Sequence, residues 1–212
     1  MKFSVDMLRL YAVTDRRWLN GQTLAEQVES AIKGGVTCIQ LREKELDEEA
    51  FLQQVLEIKK ICSAYNVPLI INDNAEIALK CDADGVHVGQ KDMPPSELRK
   101  ILGNDKIIGV SAATVDEAVK AGEDGADYIG SGAVFHTFTK SNTRPVSHEL
   151  LEQICKAAAV PVVAIGGITA ENAVSLKHTG IAGIAVMSAI FAQADIKAAA
   201  ERLLPIAKEL SQ

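Results

Sequence analysis

This chain lacks several features that would assign it quickly. Only 4% of its residues are aromatic, with Trp 1, Tyr 3 and Phe 5, too few for a platform on which nucleic-acid bases stack. It has no excess of positive charge: Lys and Arg number 22 against 28 Asp and Glu, a net charge of −6. Such a chain is a poor general binder of DNA, RNA or anionic membranes. A local cationic cleft can still take an anionic small molecule. The four cysteines, Cys38, Cys62, Cys81 and Cys155, show no CxxC spacing, which speaks against zinc and against a secreted disulfide framework. Cys38 and Cys62 fall on apolar faces and read as core. No stretch approaches the ~20 apolar residues of a membrane span, and the N-terminus carries no signal-like segment. A cytoplasmic protein without nucleic-acid or membrane partners is the expectation.

What is present is regular alternation. With 212 residues, 48% of them hydrophobic, the chain is long enough to bury a sizeable core. Short apolar, β-rich runs recur at Arg9–Thr14, Cys38–Arg42, Pro68–Asp73, Gly85–Gly89, Ile107–Ser111, Tyr128–Gly132, Pro161–Gly166 and Gly183–Ser188. Continuous apolar runs suit strands buried on both faces of a parallel sheet. Amphipathic runs lie between them. The clearest is Asp47–Asn66, where Phe51, Val55, Ile58, Cys62 and Tyr65 form one stripe behind an N-cap at Asp47. Thr23–Lys33, Thr114–Gly122, Ser147–Ala158 and Thr169–His178 read as further helices. A last helix starts near Asp195, and Pro205 is expected to kink or break it. The pattern predicts a single (β/α)8 TIM barrel over residues 1–212. An open doubly wound sheet is the rival, disfavoured by the count of strands and by the lack of GxGxxG after the first one. The one long connection, Ala133–Val146, is polar and of a length that is more often functional than inert.

In a parallel barrel the C-terminal strand ends share one face, so residues far apart in sequence meet there. Gln40 and Arg42 alternate onto the same side of the second strand, and an arginine facing a barrel mouth needs a partner or an anionic ligand. The competing reading pairs Arg42 with Glu43 or Glu45 on the surface. Asp73 and Asp92 follow neighbouring strands. Together they suit Mg²⁺, which takes one or two carboxylates and fills its shell with water and phosphate oxygens; alone, each reads equally well as a helix cap. Lys44 and Asn72 border the same mouth. His87, inside strand four, reads as structural more readily than as catalytic, and is kept as a substrate-binding candidate. Ser111 lacks Asp–His partners nearby in sequence, so a hydroxyl donating to phosphate is a simpler reading than a nucleophile. Thr137, Thr139 and Lys140 lie on the long loop. Gly166 and Gly167 after strand seven, with Met187 and Ser188 after strand eight, occupy the places where barrels often bind phosphate.

These segments, taken in order, resemble the thiamine phosphate synthase family. The likeness runs over almost the full length, through Tyr11-Ala-Val-Thr14-Asp15, Gln40-Leu-Arg-Glu-Lys44, Ile71-Asn72-Asp73, Asp84-Gly-Val-His-Val-Gly-Gln-Lys-Asp92, Gly109-Val-Ser111, Thr137-Phe-Thr-Lys140, Ala164-Ile-Gly-Gly-Ile-Thr169 and Val186-Met-Ser188. The resemblance implies a (β/α)8 barrel that joins a hydroxymethylpyrimidine diphosphate to a hydroxyethylthiazole phosphate, releasing pyrophosphate. It implies Gln40, Arg42, Lys44, Asn72, Ser111 and Lys140 around the pyrimidine diphosphate, with Arg42, Ser111 and Lys140 as catalytic groups. It also implies Mg²⁺ on Asp73 and Asp92, and Thr137, Thr139, Gly167, Met187 and Ser188 around the thiazole phosphate. The family's mechanism is dissociative: pyrophosphate leaves, a pyrimidine-methyl cation forms, and the thiazole nitrogen captures it. Ala113 and Phe135-His136 depart from a histidine and a Tyr-Pro often found at those places in the family.

Three alternatives remain at this stage. A thiazole tautomerase-like isomerase shares the barrel but tends to lack the diphosphate-binding set. Another barrel isomerase acting on a sugar or amino-acid phosphate would use the same glycine loops. A non-catalytic sensor of thiamine intermediates would bind the same ligands without turnover. The reading leaves room for a homo-oligomer.

Overall fold

The computed structural model describes residues 2–137 and 144–211. Eight parallel strands run β1 (Leu10–Val13), β2 (Cys38–Leu41), β3 (Leu69–Asn72), β4 (Gly85–Val88), β5 (Ile107–Ala112), β6 (Tyr128–Ser131), β7 (Val162–Ile165) and β8 (Gly183–Val186). They pair in chain order, and β8 closes on β1, giving a closed barrel. Helices α1 (Leu24–Lys33), α2 (Glu48–Ala64), α3 (Ala75–Lys80), α4 (Pro95–Leu102), α5 (Val115–Glu123) and α6 (His148–Ala157) form the outer layer. The short α7 (Ser188–Phe191) and the long α8 (Ile196–Leu210) complete it. This is the predicted (β/α)8 barrel.

Two separate cores result from the period-two alternation of each strand. Ile39, Leu41, Leu69, Ile71, Val86, Val88, Ile108 and Val110 point outward and pack under the helices. Each such side chain is almost fully buried, which stabilises the fold by about 1.5–3 kcal/mol apiece. Tyr11, Val13, Cys38, Ile70, Ile107, Tyr128, Val163 and Ala185 point inward and fill the barrel. A 3₁₀ turn at Val5–Leu8 brings Leu8 and Met7 into this inner core, with Phe3 beside them. Among the described residues no helix is long and apolar enough to cross a membrane.

Local chemistry sets the helix starts. Thr23 and Glu26 form a reciprocal capping box on α1. Asp47 caps α2 as predicted, accepting from the Ala50 N–H at 2.9 Å. Thr114, Ser147 and Asp195 cap α5, α6 and α8.

Two expectations are corrected. The segment Thr169–His178 forms only a 3₁₀ turn at Ala173–Leu176. Its polar side chains bond locally instead: Asn172 accepts from the Thr169 N–H at 2.8 Å and donates to the Gly167 carbonyl at 2.9 Å, while Ser175 donates to the Asn172 carbonyl at 2.8 Å. Such bonds compete with helix propagation. Pro205 does not break α8, which runs unbroken through it. Pro205 and Glu201, four residues before it, are both exposed, so water can serve the carbonyl that proline leaves without a donor.

Candidate active site

The C-terminal end of β2 is built by its neighbours. Thr14 is fully buried and its hydroxyl accepts the Arg42 N–H at 3.0 Å, which fixes the chain as it leaves the strand. Glu43 turns inward, with its side chain only 2% exposed, and Arg16 lies 3.4 Å away. One Glu43 oxygen accepts the N–H groups of Lys44 and Glu45 at 2.7 Å and of Leu46 at 3.3 Å. The glutamate is thus an internal anchor for its own loop, not a surface partner for Arg42.

Arg42 instead faces Asp15, with 3.8 Å between Nη1 and Oδ2. Asp15 is 4% exposed and is already held by Arg17, whose Nη2 lies 2.7 Å and whose backbone N–H lies 2.9 Å from its oxygens. Burial alone would raise the Asp15 carboxyl. The Arg17 hydrogen bonds, with the charges of Arg17 and Arg42, bring it below its ordinary value. Asp15 therefore stays ionised and aims Arg42 without saturating it. Guanidinium carries five donors, so most of this one's remain for a ligand.

Lys44 bridges to the next strand end, its Nζ 2.7 Å from Asp73 Oδ2. Asp73 has a left-handed φ of 61°, uncommon for a residue with a side chain. Its N–H pairs with the His87 carbonyl at 2.8 Å. Neither site aspartate is a helix cap. Asn74 caps α3, and α4 begins at Pro94 and Pro95 with no side-chain cap. Asp92 folds back to accept the Gly89 N–H at 2.7 Å through one oxygen. Both carboxylates are exposed at neighbouring strand ends. No cluster of three or more metal-type ligands occurs among the described residues, but two exposed carboxylates on neighbouring strand ends are the kind of hard donors that suit Mg²⁺.

The mouth narrows onto a polar chain inside the barrel. Gln40 is 6% exposed and its Nε2 donates to Tyr11 Oη at 2.8 Å. Tyr11 and Tyr128 hydroxyls lie 2.7 Å apart. Tyr128 Oη lies 3.0 Å from His87 Nδ1, and His87 Nε2 lies 2.9 Å from Ser111 Oγ. Asn72 caps the same rim, and Gln90 donates to the Ser111 carbonyl at 2.7 Å. Burial pushes both tyrosine hydroxyls well above their ordinary range, so both are neutral.

On the opposite rim the long connection is pinned at both ends. Ala133 and Val146 exchange bonds with Arg144 and Ala133 at 3.0 and 2.9 Å, and Phe135 N–H reaches the Gly166 carbonyl at 3.0 Å. A side chain at Gly167, whose φ is 65°, would stand 2.4 Å from the His136 carbonyl, so glycine here permits this close approach. Thr137 stands at the end of that pinned segment. Thr139 and Lys140 lie outside the described residues. Met187 precedes α7 and Ser188 begins it, exposed at the mouth beyond β8. Gln40, Arg42, Lys44, Asn72, Asp73, His87, Asp92, Ser111, Thr137, Gly167, Met187 and Ser188 therefore all fall in or at the same end of the barrel. Sequence reasoning assigns no role to Thr14, Asp15, Tyr11 or Tyr128, and gives Glu43 only that of a surface partner for Arg42. Tyr11, Thr14 and Asp15 lie in the first of the segments that carry the family resemblance, the one signal that points to them.

Comparison with known proteins bears on the family and on the fold. A family model described as thiamine monophosphate synthase matches residues 10–190. A thiamine-phosphate synthase of Ruminiclostridium cellulolyticum is 55% identical over 206 residues, covering 97% of this chain and 98% of the relative. One from Clostridium tetani is 50% identical over 194 residues, covering 92% and 93%. A solved structure of thiamine phosphate pyrophosphorylase from Pyrococcus furiosus superposes with a TM-score of 0.90 at 36% identity, covering 98% of this chain and 99% of that one. The chain belongs to the thiamine monophosphate synthase family, whose members are transferases.

Proposed function

We propose that this chain couples a hydroxymethylpyrimidine diphosphate to a hydroxyethylthiazole phosphate, giving thiamine phosphate and pyrophosphate. The observation that carries the reading is the incompletely paired charge around the mouth. Arg42 is aimed by Asp15 but not consumed by it, Lys44 has one carboxylate contact, and two carboxylates stand at neighbouring strand ends. That set suits a diphosphate leaving group, where negative charge grows as the bond to carbon breaks.

Arg42 and Lys44 bind and orient the diphosphate. Ser111 donates its hydroxyl proton to the anionic end, and Gln40 and Asn72 fix the pyrimidine side. Lys140, next to Thr139 in sequence and with it outside the described residues, adds a further cation where the pyrophosphate charge grows. Thr137, Gly167, Met187 and Ser188 hold the thiazole phosphate. Asp73 and Asp92 would hold Mg²⁺, which when bound supplies charge neutralisation to the leaving group.

The deciding experiment mixes both precursors with Mg²⁺ and the purified protein. Thiamine phosphate and pyrophosphate are expected in equal amounts. Absence of both products, with the folded protein verified, overturns the assignment. Asp92→Ala is expected to lower turnover roughly 10²-fold or more, the scale of losing one preorganised charge-stabilising group, while melting stays near wild type. Full activity in excess chelator contradicts the metal assignment.

A further inference from the structure

The barrel interior holds an unbroken polar chain from one rim residue to another: Gln40 on β2, Tyr11 on β1, Tyr128 on β6, His87 on β4 and Ser111 on β5. Space was left for it. A Cβ at Gly109 would lie 2.1 Å from the Tyr128 ring, and one at Gly130 would lie 3.1 Å from the His87 ring. Two inward positions that elsewhere in this barrel carry aliphatic side chains are thus bare, and aromatic rings occupy the space. Tyr128 touches Phe3, Tyr11 and His87 with ring centroids 6.4, 5.8 and 5.5 Å away, so its hydroxyl is held in place.

Either tyrosine oxygen can donate in the Tyr11–Tyr128 bond, and the roles of the two His87 nitrogens follow the ring's tautomer, so the chain has two self-consistent directions. In one direction Gln40 donates its amide N–H to Tyr11, Tyr11 sends its proton to Tyr128, and Tyr128 sends its own to His87 Nδ1. That leaves the histidine proton on Nε2, pointing at Ser111 Oγ. The serine's own proton is then directed out of the chain toward the mouth. In the other direction every link is reversed, the Gln40 amide is turned over, and Ser111 is able only to accept.

We propose that Tyr11 and Tyr128 are positioning residues, which carry the orientation of the Gln40 amide through His87 so that Ser111 presents a proton to the anionic end of the substrate. The inference rests on the reading given under Proposed function, in which Ser111 faces the diphosphate. The two tyrosines are almost fully buried beneath the mouth. They tie a group on one side of the mouth to a group on the other, so that the two cannot take opposite polarities.

The test joins a spectroscopic and a kinetic measurement. In protein labelled with ¹⁵N-histidine, the His87 signals, assigned with His87→Gln, are expected to report a neutral ring protonated on Nε2. Tyr128→Phe, which keeps the stacked ring, is expected to shift His87 away from that tautomer. It should also lower kcat, by up to roughly the 10²-fold scale of losing one preorganised donor outright, with KM for the thiazole phosphate unchanged. In a Ser111→Ala background Tyr128→Phe should cost nothing further, since both substitutions act through one group. A wild-type His87 protonated on Nδ1 overturns the proposal, as does a Tyr128→Phe loss that simply adds to that of Ser111→Ala. If Tyr128→Phe does not fold, Tyr11→Phe takes its place with the same expected results. The tautomer measurement needs no turnover, so a chain without synthase activity would overturn the function and leave this inference to be decided separately.

Discussion

The two ends of the barrel use the same kinds of charged residue in opposite ways. At the N-terminal end, Lys59 Nζ meets the Cys81 and Asp82 carbonyls at 2.7 and 2.6 Å and the Asp82 carboxylate at 3.1 Å. Lys106 bonds the other Asp82 oxygen and the Ala83 carbonyl. Arg99 ties together the Gly125, Gly103 and Lys106 carbonyls and the Asp127 carboxylate, which also accepts the Ile108 N–H at 2.7 Å. At the C-terminal end Arg42 stands 3.8 Å from its carboxylate, Lys44 makes one such contact, and Asp92 takes one backbone N–H. Residue type therefore does not separate scaffold from site in this molecule. The degree of saturation does, because a donor already used three times has nothing left for a ligand.

The sharpest way to break this comparison is to remove one arginine from each end. Arg42→Ala is expected to reduce turnover by roughly 10²-fold and to weaken the pyrimidine diphosphate more than the thiazole phosphate, with melting nearly unchanged. Equal losses for both ligands in calorimetry count against its placement. Arg99→Ala should do the reverse. With the Arg99 and Asp127 side chains 18% and 27% exposed, stranding the carboxylate and the carbonyls is expected to cost about 2–3 kcal/mol in urea unfolding at unchanged KM. An Arg99 variant as stable as wild type would remove the distinction between the ends.

Acid gives a finer test. Hydrogen bonds from Lys106 and Lys59 bring the Asp82 carboxyl down to about 2. A carboxyl whose folded value is depressed stabilises the protein above its unfolded value, about 3.9, and loses that contribution as pH falls toward the folded value. The urea midpoint of wild type should therefore exceed that of Asp82→Asn at neutral pH, and the gap should narrow between about pH 4 and 2. A gap that persists at low pH would mean the lysines act through packing alone. The smallest effect belongs to exposed pairs on the helices: Glu152→Ala, which removes the i,i+4 pair with Lys156, should cost only about 0.3–0.5 kcal/mol.

Much of the barrel was legible because strands buried on both faces leave continuous apolar runs, and the period of two placed Gln40 and Arg42 on one side. What stayed hidden has physical reasons. Asp73 and Asn74 are both competent caps one residue apart, and sequence does not say which carboxamide or carboxylate meets the Ile77 N–H; the structure gives that bond to Asn74. Glu43 is indistinguishable in composition from Glu45, yet only its side chain turns in. Over Thr169–His178 the apolar spacing suits a helix, and the side-chain bonds of Asn172 decide otherwise. Tyr11 and Tyr128 lie in apolar runs where a tyrosine scores as filler, because the hydroxyls that matter meet only after strands 117 positions apart are brought together.

The bare positions at 109 and 130 also have a meaning for descent. Because a methyl at 109 would strike the Tyr128 ring itself, not merely its hydroxyl, trimming the ring to phenylalanine leaves the collision in place. A lineage that acquires a side chain at 109 must move or shrink the residue at 128, and either change breaks the chain that ends at Ser111. The two positions are therefore expected to drift together or not at all, a record of kept or abandoned chemistry that can be read from sequences alone.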